Sequence, residues 1–271
     1  MSAATPAGRR RWIGATGIAS LAIALAFLAA WEFAVGAFAV PSYIVPAPSR
    51  ILAAFQRGIE RQIYWPHLQA TIEAMVVGYA IGTSLGIVLG ALIAEFRTVE
   101  RIVYPYIVSL QSLPKIALAP LFVMWFGYGL TSKVVTVALI CFFPLVVNTI
   151  TGLLSAQRDR LDMVRTMTAT RWQLFWHVKL PSAAGHIFAG LQVAVVLSLI
   201  GALVAEFVGA DRGLGNLIQI SQGNMDTPGV FAVLVILAVI GMAATGAVRF
   251  VHRRVVFWES HRAGPHASDL S

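Results

Sequence analysis

The chain has 271 residues, of which 58% are hydrophobic and only 12% are charged, whereas soluble domains carry about 25% charged residues. This shortage of charge excludes an ordinary water-soluble fold and predicts that much of the surface faces lipid. The net charge of +8 comes from Lys and Arg between apolar runs, a distribution typical of membrane topology and not of a nucleic-acid-binding groove.

Six apolar runs are each long enough to cross roughly 30 Å of hydrocarbon. They predict an all-α, polytopic membrane protein with about six transmembrane helices, at residues 16–38, 68–96, 102–126, 134–154, 187–208 and 230–251. We expect a cytoplasmic N-terminal segment (1–15), a transmembrane domain (16–258) and a disordered cytoplasmic tail (259–271).

The first run has a second interpretation as a cleaved signal peptide, because Ala37-Phe38-Ala39 resembles a small-residue cleavage site. The run covers residues 16–38, however, whereas the apolar region of a signal peptide has about 7–15 residues. A retained membrane span is therefore favoured.

Lys and Arg are distributed unevenly between the two sides of the membrane that these spans define. With the N-terminus in the cytoplasm, 14 of the 20 lie inside, 5 lie outside and Lys115 lies within the third span. Because cytoplasmic segments carry an excess of Lys and Arg, both termini are predicted to be cytoplasmic.

The outer segment 41–66 contains Pro46-Ala47-Pro48-Ser49 followed by apolar residues. Ser49 is a suitable N-cap for a short helix whose apolar face carries Ile51, Leu52 and Phe55. We expect this helix to lie along the outer surface.

The second span carries glycines at four-residue steps, which place them on one helix face: Gly78, Gly82, Gly86 and Gly90. Small residues let a neighbouring helix approach closely. We interpret this face as helix packing within the subunit, and a sliding or dimer seam is the alternative.

The third span is interrupted by Pro105, Pro114 and Pro120, each of which removes a backbone donor and disturbs the helix around it. Membrane helices interrupted in this way often line a substrate path. Lys115 is an ionisable residue at membrane depth and hence a functional candidate, although a lysine there also has the alternatives of snorkelling or internal pairing. Pro114, Lys115 and Pro120 are thus candidates for the translocation path.

Three acidic residues lie in or near the spans. Glu206, toward the outer end of the fifth span and before the loop 209–215, is the favoured gate or path residue. Glu32 and Glu73 are assigned structural roles.

The cytoplasmic segment 157–181 holds basic residues interleaved with apolar ones at steps of three or four, the spacing of one helical face. Thr170 is placed to cap its second part, and Pro181 suits the first turn of the fifth span. Taken alone, the segment is typical of an interfacial helix anchored by tryptophan.

Sequence motifs for catalysis are missing. The chain has no Gly-x-x-x-x-Gly-Lys-Ser/Thr phosphate loop, so it does not hydrolyse ATP by that route. No His-Glu-x-x-His or paired-cysteine motif suggests a metal site, and we expect neither an enzyme nor a resident cofactor.

Segment 157–181 resembles the cytoplasmic coupling loop of binding-protein-dependent ABC transporter permeases. Their pattern is Glu-Ala-Ala, three residues, Gly, nine residues, an aliphatic residue, any residue, then Leu-Pro. Here Asp162-Met163-Val164 stands at the Glu-Ala-Ala position, Thr168 at the Gly position, Val178 at the aliphatic position and Leu180-Pro181 at the end.

The branch of nitrate, sulfonate and taurine importers fits best. It is similar in Pro46-Ala47-Pro48, in Leu118-Ala119-Pro120-Leu121 through Trp125-Phe126-Gly127, and in Ala205-Glu206-Phe207 with Gly213-Leu214-Gly215. The likeness covers roughly residues 40–258. Thr168 departs from the pattern, because a β-branched residue avoids backbone conformations that Gly reaches.

The resemblance implies the permease subunit of an ATP-driven importer in a bacterial inner membrane. It implies two copies of a separate ATPase that binds ATP and Mg²⁺, a second permease subunit in a homodimer or heterodimer, an extracytoplasmic substrate-binding protein, and no nucleic acid. The ATPase-coupling residues would be Asp162, Met163, Val164, Thr168, Arg171, Trp172, Val178, Leu180 and Pro181.

Two other functions belong to different classes. An ion-gradient-driven secondary transporter would carry inverted repeats and buried acids, and no convincing repeat relates residues 1–135 to 136–271. A membrane enzyme would need a cluster of catalytic side chains at one membrane face. The resemblance leaves the solute open among nitrate, an alkanesulfonate, taurine, an aromatic acid and a pyrimidine precursor.

Overall fold

The structure, a computed structural model, describes residues 7–156, 158–166 and 168–257. In that part of the chain the regular secondary structure is helical, without a β-strand. The helices are α1 (Ala7–Ala37), α2 (Pro48–Glu60), α3 (Tyr64–Glu95), α4 (Arg97–Gln111), α5 (Ala119–Phe126), α6 (Leu130–Leu154), α7 (Arg158–Thr166), α8 (Arg171–Leu174), α9 (Leu180–Gly209), α10 (Leu214–Gly223) and α11 (Thr227–Val255). A 3₁₀ turn (Lys115–Leu118) precedes α5, and a π-helical turn (Phe175–Lys179) joins α8 to α9.

Among the described residues, five helical segments are long and apolar enough to cross a membrane. They are Ala19–Ala37 within α1, α3, α6, the joined helix Arg171–Gly209, and α11. A sixth crossing results if α4 and Lys115–Phe126, which are bent by 80° at their break, form one broken span. The predicted all-α fold with about six spans is confirmed.

The third predicted span is broken at one proline of its three. Pro105 lies inside α4, which continues past it. Pro120 lies in the first turn of α5, where a missing N–H removes no intrahelical bond. The break falls at Pro114, between α4 and the 3₁₀ turn. The sequence predicts that all three prolines disturb the helix, whereas only Pro114 lies at a break.

The larger of two compact units comprises residues 64–217 and 236–257. Its core lies where α6 packs between α3 and α9: Cys141 and Leu145 of α6 are fully buried beside Met75 of α3 and Ala194 of α9. A second buried cluster forms around Ile150 of α6. This core fixes the helices that carry the candidate site residues.

The glycine face of α3 contacts α6 within this unit. A Cβ atom added at Gly78 would lie 2.5 Å from Cβ of Val137. Additions at Gly82, Gly86 and Gly90 would meet backbone or Cβ atoms of α6 just as closely. Since real Cβ atoms do not approach to such distances, the four glycines let the two backbones come together.

The smaller unit comprises residues 7–63 and 218–235. The short helix predicted after the first span is present as α2, but its cap differs from the prediction. Ala47 is the N-cap residue and Pro48 opens the helix. Ser49 instead donates its N–H and Oγ–H to the carboxylate of Glu32, at 3.0 and 2.7 Å. Glu32 therefore serves the N-terminus of α2, where a negative charge is stabilising.

Candidate functional site

The coupling-loop segment forms two helices separated by a bend. α7 ends at Thr166 and α8 begins at Arg171. Between them Thr168 has a φ of +58°, in the left-handed region. For a non-glycine residue this conformation costs roughly 1–2 kcal/mol. The position at which the family pattern has Gly thus keeps a glycine-like backbone conformation although Thr occupies it.

The second helix of the loop begins with a reciprocal cap. The N–H of Gln173 donates to Thr170 Oγ1 at 3.3 Å, and the N–H of Thr170 donates to Gln173 Oε1 at 2.9 Å. This capping box satisfies two backbone donors that a helix start leaves unpaired. The predicted cap at Thr170 is confirmed.

The helix that contains the fifth span begins earlier than the predicted start of that span at residue 187. α8, the π-helical turn and α9 form one helix of 39 residues, Arg171–Gly209. Within it the N–H of Leu180 bonds to the carbonyl of Phe175, five residues back. In a regular α-helix the ring of Pro181 would clash with the carbonyl four residues earlier. The wide turn directly before Pro181 takes up this conflict. Pro181 lies in the first turn of α9, as predicted, and the helix reaches further back through the π-helical turn.

The coupling residues divide into an exposed and a packed group. Asp162, Met163, Arg171 and Trp172 are exposed, with Trp172 at 72%. Val164, Val178, Leu180 and Pro181 are half-buried. Leu180 packs against the core cluster around Ile150. Asp162 and Met163, the exposed residues on α7, are accessible to a partner protein, whereas Leu180 holds the loop on the membrane domain.

An ion pair ties the base of the loop to α3. Lys179 Nζ lies 2.7 Å from Glu95 Oε2, and both side chains are largely buried, with 17% and 28% exposure. Lys179 belongs to the π-helical turn and Glu95 is the last residue of α3. The contact fixes the turn beside the end of a membrane helix.

Lys115 lies at the bend between α4 and α5. Its Nζ donates to the carbonyl of Gln111 at 2.8 Å and stands 4.8 Å from the ring centroid of Phe143. Pro114 and Pro120 are exposed on either side of it. The ammonium therefore has a carbonyl and an aromatic ring as neighbours and remains half-buried.

Glu206 is fully buried at the end of α9 and holds the following loop. Its Oε1 accepts a hydrogen bond from Thr71 at 2.8 Å and lies 3.5 Å from Lys133 Nζ. Its Oε2 accepts from the N–H of Gly215 at 2.8 Å. Lys133 also donates to the carbonyl of Arg212. A buried charge of this kind requires such partners.

Two glycines make room for the carboxylate. Gly213 has a φ of +141°, and a Cβ atom there would collide with the carboxylate of Glu206. A Cβ atom at Gly215 would lie 2.9 Å from Cβ of Glu206. The motifs Ala205-Glu206-Phe207 and Gly213-Leu214-Gly215 are thus in direct contact, through the Glu206 carboxylate and the two glycines.

α3 completes this arrangement, which we call the Glu206 network: Glu206, Lys133, Thr71, His67 and residues 212–215. The N–H of Leu214 donates to Thr71 Oγ1 at 2.8 Å. His67 Nδ1 lies 3.1 Å from the N–H nitrogen and 2.8 Å from the carbonyl oxygen of Gly213. The carboxylate is enclosed by protein and its hydrogen bonds go to Thr71 and to the loop at Gly215.

Sequence reasoning missed the partners of Glu206. Lys133 is one of the five basic residues that the sequence assigns to the outer side, but it is 5% exposed and lies in the first turn of α6. Its position beside an apolar run was the available signal, since acids within spans pair with basic residues. Glu73, by contrast, is exposed.

In the described part of the chain, no group of three or more His, Cys, Asp or Glu residues is arranged to hold a metal ion.

Comparison with known proteins places this fold in a family. The model described as "binding-protein-dependent transport system inner membrane component" matches residues 82–257. The formylaminopyrimidine transport permease protein of Halalkalibacterium halodurans is 38% identical, over 86% of this chain and 93% of its own. The riboflavin transport system permease protein of Chloroflexus aurantiacus is 34% identical, over 85% and 86%. The taurine transport system permease protein of Escherichia coli is 29% identical, over 79% and 80%.

A solved structure shares the fold. A chain of the MetNI methionine ABC transporter in an inward-facing conformation has a TM-score of 0.61 and 18% identity, covering 72% of this chain and 98% of that one. The predicted importer permease fold and the resemblance to sulfonate and taurine permeases are confirmed. Because the family model and these relatives cover most of its length, this chain belongs to the binding-protein-dependent transport system inner membrane components, as a multi-pass permease subunit of an ABC importer and not as an enzyme.

Proposed function

We propose that this chain forms part of the membrane path for a small anionic organic solute, and that segment 157–181 couples this path to a separate ATPase. The joined helix Arg171–Gly209 supports this most directly. Its first turn belongs to the exposed part of the coupling loop, and its last turn carries Glu206. At 1.5 Å per residue it is about 58 Å long, roughly twice the hydrocarbon thickness.

A helix of this length acts as a lever between the two membrane faces. Displacement of its cytoplasmic end by an ATPase would move its outer end, because the capping box, the Glu95–Lys179 ion pair and the core restrict bending. The Glu206 network would carry the movement into the loop 209–215. Glu206 is thus proposed as a gate residue that acts through this loop.

The proposed subunit composition of the transporter is taken from the family to which the chain belongs. Family membership implies an ATPase that handles ATP and Mg²⁺, and a permease partner. Beyond this we propose two ATPase copies, a homodimer of this chain, an extracytoplasmic substrate-binding protein, and a location in a bacterial inner membrane. The excess of Lys and Arg in the inner segments supports cytoplasmic termini and loop 157–181 on the ATPase side.

The solute class rests on two observations. The relatives are named for formylaminopyrimidine, riboflavin and taurine, which favours a small organic solute. Lys115, half-buried at the bend of α4 and α5, supplies a positive charge at membrane depth, which favours an anion. We place Pro114, Lys115 and Pro120 beside the path.

Co-purification tests the proposal first. The chain is tagged at its C-terminus, extracted from native membranes in mild detergent, and its partners are identified and counted. An ATPase subunit at one copy per permease supports the assembly. Reconstituted uptake that needs ATP and survives a protonophore supports ATP-driven import. A chain that purifies alone and transports under an ion gradient without ATP would instead be a secondary transporter.

A further inference from the structure

Beyond the proposed function, we propose that the larger unit carries a binding site for one anionic phospholipid of the cytoplasmic leaflet. The site is a groove of about 500 Å³ between the end of α3 and the stem of the coupling loop. Its volume falls in the range of small-molecule sites. Its lining from α3 runs from Ile87 to Glu95 and continues to Phe96, and its lining from the joined helix runs from Arg171 to Leu180.

The lining matches an acyl chain in polarity and length. Its walls are formed by aliphatic side chains such as Leu92 and Leu153 and by an aromatic wall of Trp172, Phe175 and Trp176. These three rings contact each other edge to face, at 6.4 and 5.6 Å between centroids. From Ile87 to Glu95 the groove follows α3 for about 12 Å, at 1.5 Å per residue. This length is close to the thickness of one hydrocarbon leaflet, about 15 Å.

The charges at the groove favour an anionic headgroup. Among the lining residues, Arg171 carries a positive charge, is exposed and has no ion pair with another described residue. Glu95 also lines the groove, but its carboxylate is paired with Lys179 at 2.7 Å. The lining therefore presents one uncompensated positive charge, which suits a phosphodiester or carboxylate headgroup.

The position along the membrane normal points to lipid and not to a water-soluble partner. The charge bias places the end of α3 at the cytoplasmic side. Tryptophan is enriched at the level of the headgroups, and Trp172 and Trp176 are 72% and 56% exposed. Leu92 and Phe96, 55% and 52% exposed, lie on the same lining. An acyl chain would cover these exposed apolar side chains.

Photolabelling of the full transporter tests the site. The complex with its ATPase is placed in nanodiscs of phosphatidylcholine that contain phosphatidylglycerol with a diazirine in its acyl chain, and labelled peptides are identified by mass spectrometry. The label is expected to concentrate in peptides that carry residues 87–96 and 171–180. Labelling that is uniform along all lipid-facing helices would overturn the proposal, since it reports bulk lipid.

Two matched variants test the groove itself. Leu92→Trp fills it and is expected to lower labelling of both peptides several-fold. Leu89→Trp, three residues earlier, 40% exposed and outside the lining, is expected to leave labelling unchanged. Equal labelling of the two variants, or a groove that excludes lipid probes and cross-links to an ATPase segment instead, would overturn the proposal.

The headgroup is tested by comparing two probes with the same labelled chain. Arg171→Gln is expected to lower labelling by the phosphatidylglycerol probe about fivefold relative to the phosphatidylcholine probe, as loss of one basic contact at a membrane surface predicts. A ratio of the two probes that is the same in Arg171→Gln and in the unaltered chain would overturn the choice of an anionic lipid.

Discussion

The carboxylate of Glu206 occupies the space in which residue 213 would carry a side chain, and Gly213 is held there with a φ of +141°. A substitution at this position therefore meets two obstacles, a collision with a buried charge and a backbone conformation that side chains disfavour. Alanine is the smallest side chain that tests both the collision and the backbone conformation.

Overpacking typically lowers the free energy of unfolding by about 1–3 kcal/mol. Gly213→Ala is expected to cost more than this, because it also displaces the hydrogen bonds around Glu206. Thermal unfolding in detergent and uptake in membrane vesicles measure the effect. The control is Gly223→Ala, where an added Cβ meets nothing within 4 Å. Equal melting temperatures of the two variants would contradict the proposed packing.

Lys133 and Glu206 are predicted to depend on each other. Lys133 Nζ and Glu206 Oε1 are 3.5 Å apart. Lys133→Met leaves the buried carboxylate without its positive partner, and Glu206→Gln leaves the buried ammonium without its negative partner. Breaking a buried pair on one side costs roughly 3–5 kcal/mol. The double variant is expected to lose less stability than the two single losses together, as measured by a double-mutant cycle on thermal unfolding. Strictly additive losses would show that the two charges are not coupled.

Local features of the fold could be read from the sequence, and contacts between distant segments could not. The cap at Thr170 was predictable because its partner Gln173 is three residues away. A break in the third span was predictable because proline removes a donor, but the sequence did not distinguish Pro114 from Pro105 and Pro120. The hydrogen bond between Thr71 and Glu206 joins residues 135 positions apart, and no periodicity encodes such a pairing. The resemblance brought Glu206 and Gly213 to attention, but their contact required the structure.

The start of the fifth span shows a different reason for a missed boundary. Hydropathy identifies residues inside the hydrocarbon, so a helix that continues into the cytoplasm from Leu180 back to Arg171 escapes it. Pro181 signals a helix start and does lie in the first turn of α9. The π-helical turn Phe175–Lys179 lets the helix continue back beyond that start.

Thr168 and Thr166 are predicted to respond oppositely to the same substitution. Thr168→Gly relieves a left-handed conformation, at φ +58°, that costs a non-glycine residue roughly 1–2 kcal/mol, and is expected to stabilise the bend of the loop. Thr166→Gly, in the last turn of α7, is expected to weaken that helix by up to about 1 kcal/mol. Hydrogen exchange of the loop peptides reports both effects. Faster exchange in both variants would mean that Thr168 is held by contacts worth more than the strain.

Asp162 offers a cleaner test of coupling than Leu180 does. Asp162 is exposed on α7, so Asp162→Lys is expected to leave membrane abundance normal while ATPase retention and uptake fall. Leu180 packs against the core cluster, and Leu180→Asp places a charge there. A loss of uptake in Leu180→Asp is therefore expected to come with reduced abundance, as judged by the amount of protein in washed membranes.

The control for Asp162→Lys is Glu60→Lys, an equal charge change at an exposed residue of α2 in the outer segment. It is expected to retain the ATPase in detergent at the level of the unaltered chain. Because both variants add the same charge, a difference between them reports the location of the acid and not the net charge of the subunit. If Asp162→Lys keeps both the ATPase and normal uptake, the exposed face of α7 does not take part in coupling.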